Sequence, residues 1–188
     1  MSLPTETLTA DQLWMAIDQE PPSEGEMSPI EPGPLGIKPS GGLWTSTYTP
    51  EAEYDSDWLR WCSSKGMMAG SHAYRLEIVG EPEVIVVDSL EDLVAVKDEY
   101  ETKHRKIDGE YQYIEEWGQD AINFVEMAED FDGMRLTAEG QVETRLTPSH
   151  CPDLYGWDSE STVWFDWLFE VAEYVGQYET EEQLWMSG

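Results

Sequence analysis

The stretch Tyr155-Gly156-Trp157-Asp158-Ser159-Glu160-Ser161-Thr162-Val163-Trp164-Phe165 decides how the rest of the chain is read. Thr162 to Phe165 is too β-branched and aromatic for a surface loop, and two carboxylates, Asp158 and Glu160, stand two residues apart at its mouth. Side chains of a strand alternate between faces, so a strand here would set both carboxylates side by side. Crowded carboxylates perturb each other's proton affinity and can orient a sugar hydroxyl or stabilise a developing positive charge. A D-x-E pair is also what a solvated strand end looks like in an acid-rich chain. Its meaning therefore depends on what else in the sequence folds beside it.

The chain has 188 residues, enough for one domain with a substantial core and a tail. Hydrophobic residues make up 40%, with nine Trp and nine Tyr, which argues against disorder overall. Forty acidic against ten basic residues give a net charge of -30, far beyond what solubility requires. Adaptation to molar salt, mimicry of a nucleic-acid phosphate surface and cation binding compete as explanations. The acids are spread through the chain rather than gathered at calcium-loop spacing. At molar salt the Debye length is about 3 Å, which screens the self-repulsion of such a chain, and the composition favours a halophilic setting. So few basic residues argue against direct nucleic-acid binding. Four of the ten positive charges, Lys97, Lys103, Arg105 and Lys106, fall in one stretch with His104. That stretch reads as a solvated helix end offsetting Asp98, Glu99 and Glu101, with an anion such as a pyrophosphate as its other possible occupant.

Cys62 and Cys151 are far apart, neither is in a CxxC pair, and His72, His104 and His150 are scattered, so no zinc site is spelled out. Buried, reduced thiols in an intracellular protein are the expectation. The adjacent His150-Cys151 pair is poorly placed for a nucleophile and its base, because neighbouring side chains in a loop seldom face each other. There is no signal-peptide pattern and no run of about 18 apolar residues, so neither secretion nor a membrane span is expected.

Residues 1–37 read as a flexible arm rich in Pro and Glu, with a short helix over Thr9–Asp18 that carries Leu13, Trp14 and Ile17 on one side. The apolar Leu13-Trp14-Met15 would dock on its own domain or on a neighbour, which suggests a protein partner or a homo-oligomer. Residues 38–188 read as a single α+β domain. Gly41-Gly42, which permit close backbone approach, precede a strand over Leu43–Tyr48. A helix with Trp58, Leu59 and Cys62 on one face should end near Gly66. Tyr74–Val79 and Val84–Val87 read as strands, the second covered on both faces. Ser89 caps a helix from Leu90 to about Tyr100, with Asp92 in a capping-box position. Residues 102–120 read as irregular. An amphipathic helix over Ala121–Phe131 should bury Ile122, Val125, Ala128 and Phe131 and stop at Asp132-Gly133. Met134–Thr137 reads as a short strand, 138–154 as a loop, Asp166–Val175 as core and Thr180–Met186 as a short helix or tail.

Taken in order, Lys38 to Ser46, Trp58 to Cys62, Val84 to Leu90, Phe131 to Met134 and Trp157 to Trp164 resemble a family of small phage and prophage proteins. The family pattern runs K-P-x-G-L-W-x-S, W-x-x-W-C, V-x-x-L, Y-D-G-I and W-D-x-x-S-x-x-W, and the likeness spans roughly residues 38–168. The resemblance implies the ADP-ribosyltransferase-like fold, a split β-sandwich with flanking helices in which NAD lies between two small sheets. It implies that Thr45-Ser46-Thr47 floors the nicotinamide pocket, with Ser46 at its centre, and that Trp44 or Tyr48 stacks on the ring. It implies that Asp158 and Glu160 are the late acidic pair, Glu160 stabilising the oxocarbenium-like centre as nicotinamide leaves. The chain departs from the family at its start: the first forty residues contain neither Arg nor His, and Lys38 is their only basic residue.

Two expectations follow. The first is an NAD-using ADP-ribosyltransferase of a halophile or its virus that modifies a macromolecule, located in the host cytoplasm or the virion. The second, motivated by the missing Arg or His, is a catalytically inactive binding or structural protein that keeps the fold. Acid mimicry of nucleic acid is a third.

Overall fold

The computed structural model describes residues 2–17, 20–33, 38–52, 54–102, 104–107, 110–113, 121–147 and 154–178. The strands are β1 (Thr5–Thr7), β2 (Gln12–Ala16), β3 (Leu43–Thr47), β4 (His72–Ile78), β5 (Glu83–Val87), β6 (Glu101–Thr102), β7 (His104–Ile107), β8 (Glu110–Tyr113), β9 (Ala121–Ile122), β10 (Gly133–Leu136), β11 (Ser161–Trp164) and β12 (Phe169–Gln177). The helices are α1 (Asp57–Lys65), α2 (Leu90–Tyr100), α3 (Phe124–Asp130) and α4 (Ala138–Thr144), so the chain is a mixed α+β protein. Eight strands form one sheet in the order β1-β5-β10-β11-β3-β2-β4-β12. The β5–β10 pair is parallel and the other neighbours are antiparallel. Two small ladders, β6–β9 and β7–β8, lie in the crossover between β5 and β10.

The sheet divides at β3. Leu43, Trp44 and Thr45 pair with β11, whereas Ser46 and Thr47 pair with β2. Period-two alternation then separates two cores. Ile85, Val87, Met134, Leu136 and Val163 point to the side covered by Leu93 and Val96 of α2 and Phe124 and Met127 of α3. Val84, Leu43 and Trp164 point to the other side and share a core with Tyr74, Leu76 and Phe169 of the far half of the sheet. The two halves thus bury their apolar faces against each other, each fully buried large side chain contributing about 1.5–3 kcal/mol. A buried polar chain crosses the divide: the Trp164 indole N–H donates to Thr45 Oγ1 at 2.8 Å, and that hydroxyl donates to Gln12 Oε1 at 2.7 Å.

Several expectations hold in detail. The helix α1 ends at Gly66, φ 62°, the left-handed conformation that favours glycine. Ser89 Oγ accepts from Asp92 N–H and donates to Asp92 Oδ2, closing the α2 cap as its spacing implies. Other expectations fail for identifiable reasons. The helix expected over Thr9–Asp18 is replaced, among the described residues, by a strand: Gln12–Ala16 has neighbours on both sides, pairing with β3 and β4. The apolar Leu13-Trp14-Met15 does dock on its own domain, one of the two expected outcomes, as a strand within the sheet, and β1 adds a strand beside β5. The helix expected from Ala121 begins at Phe124 behind an Asn123 cap, which rotates its stripe to Phe124 and Met127 and leaves Val125 exposed. Within 138–154, Thr137 caps a helix, α4. Within the stretch read as irregular, β7 and β8 pair antiparallel. The expected helix or tail at Thr180–Met186 and the His150-Cys151 pair lie outside the described residues. Among the described residues no helix is long and apolar enough to cross a membrane.

Candidate functional site

The site forms where β3 leaves β11 for β2. Ser46 sits at that point with both ends of its hydroxyl engaged: Oγ donates to Glu160 Oε2 at 2.7 Å and accepts the Trp58 backbone N–H of α1 at 3.4 Å. Thr47 adds its backbone N–H to Oε2 at 2.9 Å and its hydroxyl to Oε1 at 2.7 Å. Arg135 of β10 donates Nε to Oε1 at 3.2 Å and spends a second nitrogen on Glu6 at 2.9 Å. The Glu160 backbone N–H in turn donates to Asp57 Oδ2 at 2.9 Å, at the first residue of α1. Glu160 is 5% exposed. Segments 114 residues apart therefore converge on one carboxylate.

Two cavities flank this knot. The larger, about 690 Å³, is lined by Trp14, Lys38, Trp44, Ser46, Trp58 and Asp158 among others. It falls within the range of small-molecule sites, which are mostly apolar with a few placed polar groups. The smaller, about 400 Å³, is lined by Glu160, Arg135, Thr47, Asp57 and Arg60, among others. Ser46 borders the larger cavity while the carboxylate it holds borders the smaller. Asp158 and Glu160 are consequently not a side-by-side pair on one strand face. β11 starts only at Ser161, so the pair precedes the strand, and each acid borders a different cavity.

Of the two aromatic candidates, Trp44 borders the larger cavity. Tyr48 is turned away from it and packs against the cluster of Leu13, Leu59 and Ala73. One edge-to-face contact fixes Trp44, to Trp157 at 4.7 Å. The Lys38 ammonium lies 4.2 Å from the Trp44 ring centre and donates to the Gly156 carbonyl at 3.3 Å. Loss of water around that ammonium pushes its pKa down, and the Asp158 charge pulls it up. Gly41 and Gly42 do allow close approach, but what approaches belongs to the chain itself. A Cβ on Gly41 would lie 2.0 Å from the Pro29 carbonyl, and one on Gly42 would lie 2.6 Å from that of Trp164. Cys62 is a fully buried thiol, pushed up to about 11 by burial, consistent with the packing role read from the sequence.

Arg135, Asp57 and Trp58 were not legible as site residues. Arg135 carried one signal, a lone charge inside the apolar strand Gly133-Met134-Arg135-Leu136. Comparison of the chain with known protein families, curated proteins and solved structures finds no match.

Proposed function

We propose that the chain is an ADP-ribosyltransferase-like protein of a halophile or its virus, with NAD as the substrate of the cleft at the divided sheet. One observation carries this reading: Ser46 Oγ and Glu160 Oε2 meet at 2.7 Å. The resemblance requires those two residues to share one site, and nothing in their separation along the chain obliges them to do so. A sheet that divides at β3 and folds its halves together supports the same reading.

The lining suits the nicotinamide-ribose half of NAD best. Trp44 and Trp58 offer aromatic surface, and Ser159 and Asp158 offer hydrogen-bonding groups to an amide and a sugar. For the pyrophosphate, Lys38 is the only cationic side chain among the described lining residues. In the chemistry proposed, nicotinamide leaves ribose C1′ with the bonding electron pair, and an acceptor heteroatom bonds to C1′ and gives up its proton. Glu160, fixed by Ser46, Thr47 and Arg135 before any substrate arrives, would face the positive charge developing at C1′ from the smaller cavity, so this reading requires the ribose to reach past Ser46. Asp158 meets the sugar from the larger cavity.

A second reading is favoured by the same hydrogen bonds. Four donors already occupy the two oxygens of Glu160, leaving little capacity for a sugar hydroxyl. On this reading the protein binds and does not turn over. Incubation with labelled NAD in molar KCl, alone and with lysate, separates the two. The transferase reading expects nicotinamide release or label transfer that falls about 100-fold or more in Glu160→Gln. Absence of both, with Glu160→Gln indistinguishable from wild type, leaves the binding protein.

A further inference from the structure

We infer that the larger cavity selects planar organic cations, and that Lys38 is a built-in competitor for the Trp44 face on which such a cation lies. The inference uses the cavity of the reading above and no part of its chemistry. An ammonium already occupies the ring face, 4.2 Å from its centre, inside the roughly 6 Å over which a cation is drawn to an indole. The site therefore already holds a positive charge, supplied by the chain itself.

The surroundings point the same way. The described lining residues carry three carboxylates, Glu20, Glu26 and Asp158, against the one ammonium. Glu26 is turned back onto Ser23, whose backbone N–H donates to it at 3.1 Å, and of the three it is the Asp158 charge that acts on Lys38. An anionic ring entering here meets like charge, and a neutral ring of the same shape gains only contact area. A planar cation gains contact area, the negative face of Trp44 and the field of Asp158 together. Displacing Lys38 gives up its place over Trp44 and its bond to the Gly156 carbonyl, and the side chain, which is exposed, can swing into water to make room.

The test holds shape constant and varies charge. The full chain in molar KCl is titrated with N1-methylnicotinamide cation, nicotinamide and nicotinate, read by tryptophan fluorescence, with a thermal melt to show that each variant is folded. The cation is expected to bind about tenfold or more tightly than the neutral amide, with nicotinate weakest. Asp158→Asn should lower the cation-to-amide ratio several-fold while leaving the part that Trp44 supplies, and Lys38→Met should tighten the cation several-fold without strengthening nicotinate. Nicotinate binding as well as the cation overturns the inference. So does an unchanged ratio in Asp158→Asn, or a folded protein that binds none of the three. Cation preference without NAD turnover removes the transferase reading and keeps this one, while turnover without cation preference does the reverse.

Discussion

Taking water away from a carboxylate costs several kcal/mol unless donors replace it, and at Glu160 they arrive from β3 and β10. Arg135 is the charged member of that set and is itself stretched between Glu160 and Glu6. Arg135→Met should therefore cost about 3 kcal/mol, seen as a lower urea midpoint with an unchanged slope. Most of that cost is the stranded Glu160 charge, so Glu160→Gln should be much less harmful in the Arg135→Met background than alone. Additive losses in the double variant would show that the two side chains do not depend on each other. At this scale the sequence marked Glu160 and Ser46 through a resemblance, and their side chains do meet. It misplaced Asp158 relative to Glu160 because period two holds only inside a strand, and β11 begins at Ser161, after both acids.

Among the elements, the turn into β3 is the least tolerant of change. Gly42 has φ 68°, and an added Cβ would meet the Trp164 carbonyl at 2.6 Å, where a backbone atom cannot step aside. Gly66 at the end of α1 has nearly the same φ, 62°, with nothing within 4 Å of its Cβ position. Gly66→Ala should cost about 1 kcal/mol, the left-handed penalty alone, and Gly42→Ala clearly more, because strain and clash add. Equal losses in paired urea titrations would mean that β11 does not press against that turn. A cap, a helix stop and a uniform strand were the legible elements here: Ser89, Gly66 and the apolar run Val84–Val87 announce themselves locally. β2 was not legible, because Leu13, Trp14 and Ile17 satisfy helical spacing as well as a short apolar strand does. Only its two neighbours, β3 and β4, decide between them.

For the whole molecule, the order of strands turns residues that read as an arm into a structural necessity. β2 lies between β3 and β4, so it alone joins the β4–β12 pair to the rest of the sheet. It also supplies Gln12, fully buried, which accepts the Thr45 hydroxyl across the divide. Removing residues 1–16 would open the edges of β3, β4 and β5, leave the buried Thr45 hydroxyl without its acceptor, and detach one half of the core shared by Trp164 and Phe169. Removing residues 1–8 takes away only the edge strand β1, with Leu8, and should lower the midpoint while leaving one cooperative transition. The longer deletion should abolish cooperative unfolding altogether, even in molar KCl. Charge does not explain the difference, since residues 1–16 contain two acids, Glu6 and Asp11, and no base, so their loss slightly relieves the net charge of -30. Circular dichroism against urea for the three lengths decides the matter. A 17–188 chain that unfolds cooperatively at the full-length midpoint would mean that β2 does not bridge the two halves of the sheet.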